Sequence, residues 1–236
     1  MLDARGRLHW KKAGVNLPER ILFVGAHCDD VELFGGGLLA RACFSRRHVG
    51  VLVFSDHRGV LDDAAAAQAY GELDDNLSWL SAESGGEVRN HSGPMLPACS
   101  GAFQSERGAL YAAMESLRDH YDLVVTHAST DTNQDHRQVA EEAARVFKAH
   151  ATLLGGEFPN NDLGAFKPQV YFVLSPRELD AKVRMVTQYR SQDVGGRPYL
   201  DAEVVRAQAR MRGSQIREPA AEAFTIVGRI VIRAAS

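Results

Sequence analysis

Three side chains with the chemistry of metal ligands stand on one turn near the start of the chain. His27, Asp29 and Asp30 follow directly after the apolar run at residues 21–24 (ILFV), and a segment of helical composition comes next. The apolar run predicts a buried strand, and α/β proteins place ligands and chemistry in the loops at the carboxyl ends of parallel strands. Imidazole and carboxylate groups on such a loop predict a metal-dependent enzyme.

A second pair of such residues occupies the same kind of position further along. The strand-like run 123–126 is followed by a loop, and Asp135 and His136 stand where the next helix opens. A catalytic zinc usually takes three protein ligands and leaves one position open for water. With His27 and Asp30 as two ligands and His136 as the third, the two loops are expected to converge on one ion. This ligand set suits Zn²⁺, and it also suits Fe²⁺.

Asp29 stays free of the ion in this arrangement, because neighbouring residues of a turn point in different directions. A metal lowers the pKa of water toward about 7, and a carboxylate beside that water can take its proton and return it to a leaving amine. Asp29 is therefore the predicted base. Asp135, next to His136, is predicted to orient a ligand or to tune a nearby acid.

Each of these residues also has an interpretation that involves no chemistry. A lone His27 at a strand end is usually structural, and the aspartates of both loops suit the N-cap and first turn of a helix. Two such clusters, each after an apolar run and before a helix, favour the metal site. The glycines at 35–37 do not meet the GxGxxG dinucleotide fingerprint, so we expect them to let the first helix pack closely.

The elements that must position these residues alternate between strand and helix. Predicted strands cover residues 21–26, 49–55, 87–90, 123–126, 170–174 and 224–232. Predicted helices cover residues 32–47, 63–83, 104–120, 139–150, 179–189 and 204–212, and loops are predicted at 92–102 and 155–166. This order predicts a mainly parallel sheet with helices on both faces. Since no repeat or linker is visible, we expect one domain over residues 1–236, with a core at 20–232.

The composition is that of a soluble globular protein and excludes several classes. The formal net charge is -3 and no basic stripe is visible, so no nucleic-acid partner is expected. No apolar run approaches the roughly 20 residues that span a bilayer, and the amino-terminal segment lacks an apolar signal core. We therefore expect no membrane insertion and a cytoplasmic location. Three cysteines without CxxC spacing argue against a disulfide framework or a structural zinc site. The oligomeric state is open, and a homo-oligomer is compatible with the sequence.

The same residues resemble a known family. The segment at 27–32 (HCDDVE) resembles the AHPDDxE signature of the LmbE/PIG-L-like zinc-dependent N-deacetylases, and the pair at 135–136 (DH) resembles their second signature. Residues 182–192 are similar to a family helix that ends in a Ser-Gln pair. The resemblance covers most of the chain, from the first strand to the last. It implies a Rossmann-like α/β fold, and it gives the metal ligands and the base the same assignments as the spacing does.

Two positions depart from the family pattern. Cys28 replaces a proline, and we expect a packed small residue there rather than a ligand. Asn133 stands where many members place a histidine that is thought to stabilise the oxyanion, and its amide can still donate to that oxygen. His127 is another candidate for this role, although it suits packing under the loop equally well. The segment 55–59 (SDHRG) is similar to the family's substrate loop, where Arg58 either holds a substrate hydroxyl or phosphate or is simply solvated.

The resemblance and the residues together predict removal of the acetyl group from an N-acetylglucosamine-type amino sugar or its conjugate, with Asp29 activating the water. An amidase acting on a sugar–thiol conjugate would use the same site, and the sequence does not separate the two. A non-catalytic, metal-stabilised sugar-binding module is a further alternative, raised by Cys28 and Asn133 and opposed by the intact Asp29. A nucleotide-binding Rossmann protein is disfavoured by the missing glycine fingerprint.

Overall fold

Strands and helices alternate along most of the backbone. The computed structural model describes residues 17–93, 100–192 and 196–231. The strands are β1 (Arg20–His27), β2 (His48–Ser55), β3 (Val88–Asn90), β4 (Leu123–His127), β5 (Thr152–Gly156), β6 (Val170–Val173) and β7 (Ala221–Ile226). The helices are α1 (Asp30–Phe44), α2 (Asp63–Ser84), α3 (Arg107–Glu115), α4 (Gln134–Phe147), α5 (Pro176–Thr187) and α6 (Ala202–Gln215). None of these helices is long and apolar enough to cross a membrane.

All seven strands belong to one sheet, in the order β3-β2-β1-β4-β5-β7-β6. Neighbours from β3 to β5 pair in parallel, whereas β7 runs antiparallel to both β5 and β6. Both faces of β1 are apolar: Ile21 and Phe23 pack with α1, α2 and α5, while Leu22 and Val24 pack with α3 and α4. Helices therefore cover both faces of the sheet, as buried parallel strands require. The predicted Rossmann-like α/β fold is confirmed.

A crevice between β1 and β4 follows from this topology. The chain leaves β1 into α1 on one face of the sheet and leaves β4 into α4 on the other, so the two loops diverge. Open α/β sheets bind ligands at such a switch point, outside the carboxyl ends of the strands. His27 ends β1, Asp30 begins α1, and His136 lies in the first turn of α4. The two predicted halves of the metal site thus face one crevice.

Strand β5 is an element that the sequence pattern did not predict. The prediction placed a loop from 155 to 166, but Gly155 and Gly156 are the last residues of β5. Two glycines weaken a strand in isolation, which is why the pattern suggested a loop. In the folded chain, neighbouring residues lie too close for side chains here: a β-carbon on Gly156 would lie 2.8 Å from Cβ of Phe34. Gly156 therefore lets α1 lie directly on the sheet, while a β-carbon on Gly155 would lie 2.8 Å from Oγ1 of Thr225 in β7.

Several predicted boundaries also differ from the observed ones. Helix α4 begins at Gln134 rather than at 139, because the side chain of Asn133 caps it. Helix α3 is shorter than the predicted 104–120, since turns flank it at both ends. Strand β7 covers Ala221–Ile226 rather than 224–232. Positions 94–99 of the predicted surface loop and residue 232 lie outside the described residues.

Helix α1 is interrupted where it crosses the sheet. Gly35 has φ −146° and ψ 17°, which are not helical values. The Glu222 carboxylate accepts the N–H groups of Gly37 and Leu38 at 2.8 and 2.7 Å. Lys182 Nζ lies 2.7 Å from the same carboxylate and balances its charge. Because a β-carbon on Gly37 would lie 3.1 Å from the Glu222 carboxyl carbon, the glycine run permits the close packing that was expected.

Candidate metal centre

Three predicted ligands meet at the carboxyl edge of the sheet. One ligand atom each from His27, Asp30 and His136 lies within 4.8 Å of the other two. Asp30 stands between the histidines, with Oδ2 3.4 Å from Nδ1 of His27 and Oδ1 3.3 Å from Nε2 of His136. All three side chains are buried. The structure therefore brings together two imidazoles and one carboxylate that are far apart in the sequence.

The outer nitrogen of each histidine lies against a second carboxylate. Nε2 of His27 is 3.2 Å from Asp135 Oδ2, and Nδ1 of His136 is 2.8 Å from Asp131 Oδ2. The same Asp135 oxygen accepts the N–H of Gly101 at 2.6 Å, which ties the loop before α3 to the site. Histidines that bind metals usually donate their other N–H to such an acceptor, which fixes the ring. Asp135 thus lies against a predicted ligand, but this ligand is His27 and not His136, its neighbour in sequence. Asp131 was not singled out by the sequence, although it lies in the same loop.

The charges around the two histidines favour the binding of a cation. Burial opposes protonation of His27, but the charge of Asp30 and the hydrogen bond to Asp135 outweigh it and raise the pKa of His27 to about 9. Burial likewise opposes protonation of His136, yet Asp30 and Asp131 raise its pKa to about 10. The three surrounding histidines overcome the effect of burial on Asp30 and hold its pKa well below the usual range. A site that attracts protons this strongly, with N and O donors, fits a divalent metal ion.

A second group of potential ligands shares His136 and adds His127 and Asp131. His127 is fully buried and stacks on His136, with ring centroids 3.9 Å apart. Burial and the neighbouring His136 lower the pKa of His127, and its Nε2 accepts the N–H of Ala26 at 3.0 Å. In this group Asp131 would have to leave its role of holding the His136 ring. The group with His27 is the better metal site, and His127 packs beneath the loop.

Asp29 lines the same cavity as the three predicted ligands but does not belong to the group whose donor atoms converge. It occupies the N-cap position of α1, but its side chain makes no capping hydrogen bond. Its Oδ1 lies 3.0 Å from Nε2 of His57, and both side chains are buried. Sequence reasoning gave His57 no role. The available signal was its position two residues after the end of β2, since the same strand-end argument singled out His27.

The two predicted substrate-binding residues lie in different surroundings. Asn133 lines the cavity over the ligands, and its Oδ1 accepts the N–H groups of Asp135 and His136 at 2.8 and 3.4 Å. This leaves its amide nitrogen for another partner. The Arg58 side chain is 54% exposed and donates to Asp56 at 3.0 Å. Arg58 is not among the described residues that line the cavity.

The thiol of Cys28 is buried in the core beside the site. Its Sγ lies 3.5 Å from the carbonyl oxygen of Ser55. Burial, reinforced by the negative charge of Asp29, raises the pKa of this thiol well above its ordinary value. A protonated thiol is a poor metal ligand, since the thiolate is the form that binds metals. Cys28 is thus the packed small residue that was expected.

The cavity above the ligands measures about 590 Å³ and has a polar rim. Arg197 and Tyr199 line it, and the Arg197 guanidinium donates to the side chain of Gln192. Gln192 belongs to the Ser-Gln pair noted in the sequence. Its neighbour Ser191 donates its hydroxyl to Glu72 of α2 at 2.6 Å. The Ser-Gln pair therefore anchors a rim arginine to the body of the protein.

Solved structures with this fold include several deacetylases. No protein-family model matches the sequence, and no curated protein matches it. A conserved protein from Thermus thermophilus is 22% identical over 92% of this chain and 98% of its own, with a TM-score of 0.69. An N,N'-diacetylchitobiose deacetylase from Pyrococcus horikoshii is 15% identical over 89% and 84%, with a TM-score of 0.67. A deacetylase of the A40926 pseudoaglycone is 18% identical over 91% and 99%, also with a TM-score of 0.67.

The same fold also occurs with another activity. A 4-carboxy-2-hydroxymuconate hydratase from Pseudomonas putida is 17% identical over 92% of this chain and 100% of its own, with a TM-score of 0.61. Fold alone therefore does not choose the reaction, which must be argued from the site. The chain has the fold of these solved deacetylases, which is the fold that its resemblance to the LmbE/PIG-L-like family implied.

Proposed function

We propose that this protein is a metal-dependent hydrolase that removes the acetyl group from an N-acetylated amino sugar or its conjugate. The observation that carries the proposal is the convergence of His27, Asp30 and His136. Asp29 lies beside them at the N-cap of α1, and its side chain makes no capping hydrogen bond. Two deacetylases with this fold are named for N,N'-diacetylchitobiose and for the pseudoaglycone of the antimicrobial reagent A40926. Membership of the LmbE/PIG-L-like family is part of the proposal.

His27, Asp30 and His136 would hold the ion, with Zn²⁺ as the expected metal. A bound divalent cation supplies Lewis acidity, which polarises an amide carbonyl and makes water more acidic. Asp29 would take a proton from the attacking water as the new C–O bond forms. When the C–N bond breaks, Asp29 would pass this proton to the departing amine, so that acetate and a free amino sugar are released.

Two further groups would act on the substrate. The amide nitrogen of Asn133 is left free by its capping role and would donate to the acyl oxygen as negative charge develops there. The cavity is of a size that suits small-molecule ligands. Its rim carries Asn160, Asn161 and Tyr199, which offer amide and hydroxyl groups to the hydroxyls of a sugar.

The test combines metal analysis with acetate release. Purified protein is loaded with Zn²⁺ or Fe²⁺, and acetate is measured with N-acetylglucosamine, N,N'-diacetylchitobiose and N-acetylglucosaminyl conjugates. We expect about one ion per chain and acetate release from at least one substrate, lost on chelation and restored by metal. A protein that binds metal but releases no acetate from any of these compounds would contradict the proposal.

The same assay separates the alternatives. A sugar–thiol amidase would release an amino sugar from a thiol conjugate without releasing acetate, so both products are measured. A non-catalytic binding module would hold the sugar without turnover. The burial of Asp29 beside the ligands speaks against the binding module, because sugar binding alone does not require a second carboxylate at the ion.

A further inference from the structure

His57 and Asp29 form a buried pair beside the metal ligands. Nε2 of His57 lies 3.0 Å from Oδ1 of Asp29, and the two residues are 8% and 2% exposed. In the tautomer with its proton on Nε2, His57 donates this hydrogen bond to the Asp29 carboxylate. Among the described residues, His57 is the hydrogen-bond partner of this carboxylate. The orientation of Asp29 therefore depends on a residue from another strand.

The backbone of β2 ends in a turn that holds His57 in place. His57 has φ +65°, in the left-handed region that non-glycine residues adopt at a cost in free energy and that is enriched at functional sites. Its carbonyl oxygen accepts the N–H groups of Val60 and Leu61, both at 3.0 Å. The Asp56 carboxylate accepts the N–H of Arg58 at 3.1 Å. These hydrogen bonds hold the strained backbone of His57 in place. In this conformation the imidazole ring faces Asp29.

The plane of the His57 ring is fixed as well. His57 stacks on His27, with ring centroids 4.6 Å apart and an angle of 13° between the planes. His27 is in turn held by Asp135 at 3.2 Å. Asp29 has no such anchor on its own helix, since it makes no capping bond. The stacking on His27 and the turn after β2 together hold the His57 imidazole in position as a hydrogen-bond donor to Asp29.

We propose that His57 is a positioning residue for Asp29. Its Nε2–H holds Oδ1, which leaves Oδ2 of Asp29 to take the proton of the attacking water. This inference rests on the proposed function, and it adds a residue that neither the motifs nor the spacing assigned. Because the base acts in the chemical step, replacing His57 should lower kcat rather than weaken substrate binding.

The experiment compares His57→Ala with His57→Gln in the zinc-loaded enzyme. Both variants bear a side chain at φ +65°, so they share the backbone strain, but only glutamine offers an N–H near the position of Nε2. We expect kcat to fall about 10- to 100-fold in H57A, the range of a hydrogen bond to a charged group, with KM unchanged. H57Q should recover most of this loss, and both variants should keep one zinc ion per chain.

His91→Ala serves as the matched control. This variant also removes a half-buried imidazole, which bonds to Tyr121 at 2.6 Å outside the cavity, and it should leave kcat unchanged. Equal kcat values for H57A and wild type, equal losses in H57A and H57Q, or loss of zinc in H57A would each overturn the positioning role.

A second readout does not depend on turnover. In zinc-loaded wild-type protein, ¹⁵N NMR should show His57 with its proton on Nε2, and Asp29→Ala should shift that resonance. If Asp29→Ala leaves the His57 resonance unchanged, the hydrogen bond between His57 and Asp29 is refuted even in an active enzyme. Absence of acetate release by the wild type, with the expected NMR shift, contradicts the proposed function instead.

Discussion

Asp131 Oδ2 lies 2.8 Å from Nδ1 of His136, while its other oxygen accepts the N–H of Asn133 at 2.8 Å. One carboxylate therefore fixes both the loop after β4 and the ring that enters the crevice. Because Nδ1 is held in this way, Nε2 of His136 is the nitrogen that faces Asp30. The sequence predicted His136 as a ligand, and the fold shows the carboxylate that lies behind its ring, where metal-binding histidines usually have an acceptor.

We expect Asp131→Asn to weaken metal binding about 10- to 100-fold, the usual effect of removing the acceptor behind a metal-bound histidine. An amide has one acceptor oxygen, so it cannot accept both the ring N–H of His136 and the backbone N–H of Asn133, and it lacks the negative charge of the carboxylate. Zinc affinity is measured by competition with a chromogenic chelator. Asp119→Asn is the control, since Asp119 also pairs with a histidine, His150 at 2.9 Å, but is exposed. Equal zinc affinities in the two variants would show that Asp131 does not act on the metal.

Metal affinity should rise with pH up to about pH 10. In the metal-free protein the pKa of His27 is raised to about 9 and that of His136 to about 10, so both rings are protonated at pH 7. A metal must displace these protons, and metal binding becomes stronger as the pH approaches those pKa values. Calorimetry in buffers of different ionisation enthalpy should show the release of about two protons per ion at pH 7. Proton release near zero would mean that the rings are neutral before metal binds.

Replacing Asp29 or Asp30 by asparagine should have different effects, one on turnover and the other on metal binding. Asp29→Asn removes the base and should lower kcat about 10²- to 10⁴-fold, the range that general acid–base catalysis contributes, with zinc content unchanged. Asp30→Asn removes the carboxylate that stands between the two histidines and should abolish zinc binding. Zinc is measured by mass spectrometry of the metal after dialysis. If Asp29→Asn also lost its zinc, the two aspartates would not have separate roles.

The sequence sufficed for the parts of the fold that local pattern determines. Apolar runs located β1, β2 and β4, and the ends of these strands located His27 and the loop before His136. It failed where residues distant in the sequence determine the structure. Gly156 of β5 is explained by Phe34 of α1, and Gly155 by Thr225 and Ala128, which lie against these glycines only in the folded chain. The sequence pattern did not assign a role to His57 for the same reason, because its partner Asp29 lies in the loop after a different strand.

Breaking the buried ion pair beneath α1 should destabilise the protein. Lys182 and Glu222 are 5% and 3% exposed at the side chain and 2.7 Å apart. Lys182→Met leaves the carboxylate without its counter-charge and should cost about 3–5 kcal/mol of unfolding free energy, measured by urea denaturation. Lys182→Met combined with Glu222→Gln removes both charges and should cost less than the sum of the single variants. Strict additivity would mean that the two side chains do not interact.

The contact between α1 and β5 can be tested with two glycine replacements. Gly156→Ala places a β-carbon 2.8 Å from Cβ of Phe34, so α1 or β5 must shift, and overpacking of this kind costs about 1–3 kcal/mol. Gly71→Ala is the matched change in an exposed turn of α2, where no neighbour lies within 4 Å of the new carbon. There alanine should stabilise the helix by about 0.5–1 kcal/mol, because glycine loses more backbone freedom on folding. Urea unfolding of both variants should therefore give shifts of opposite sign. If Gly156→Ala were neutral, the absence of a side chain at position 156 would not be needed to place α1, and with it Asp30, against the sheet.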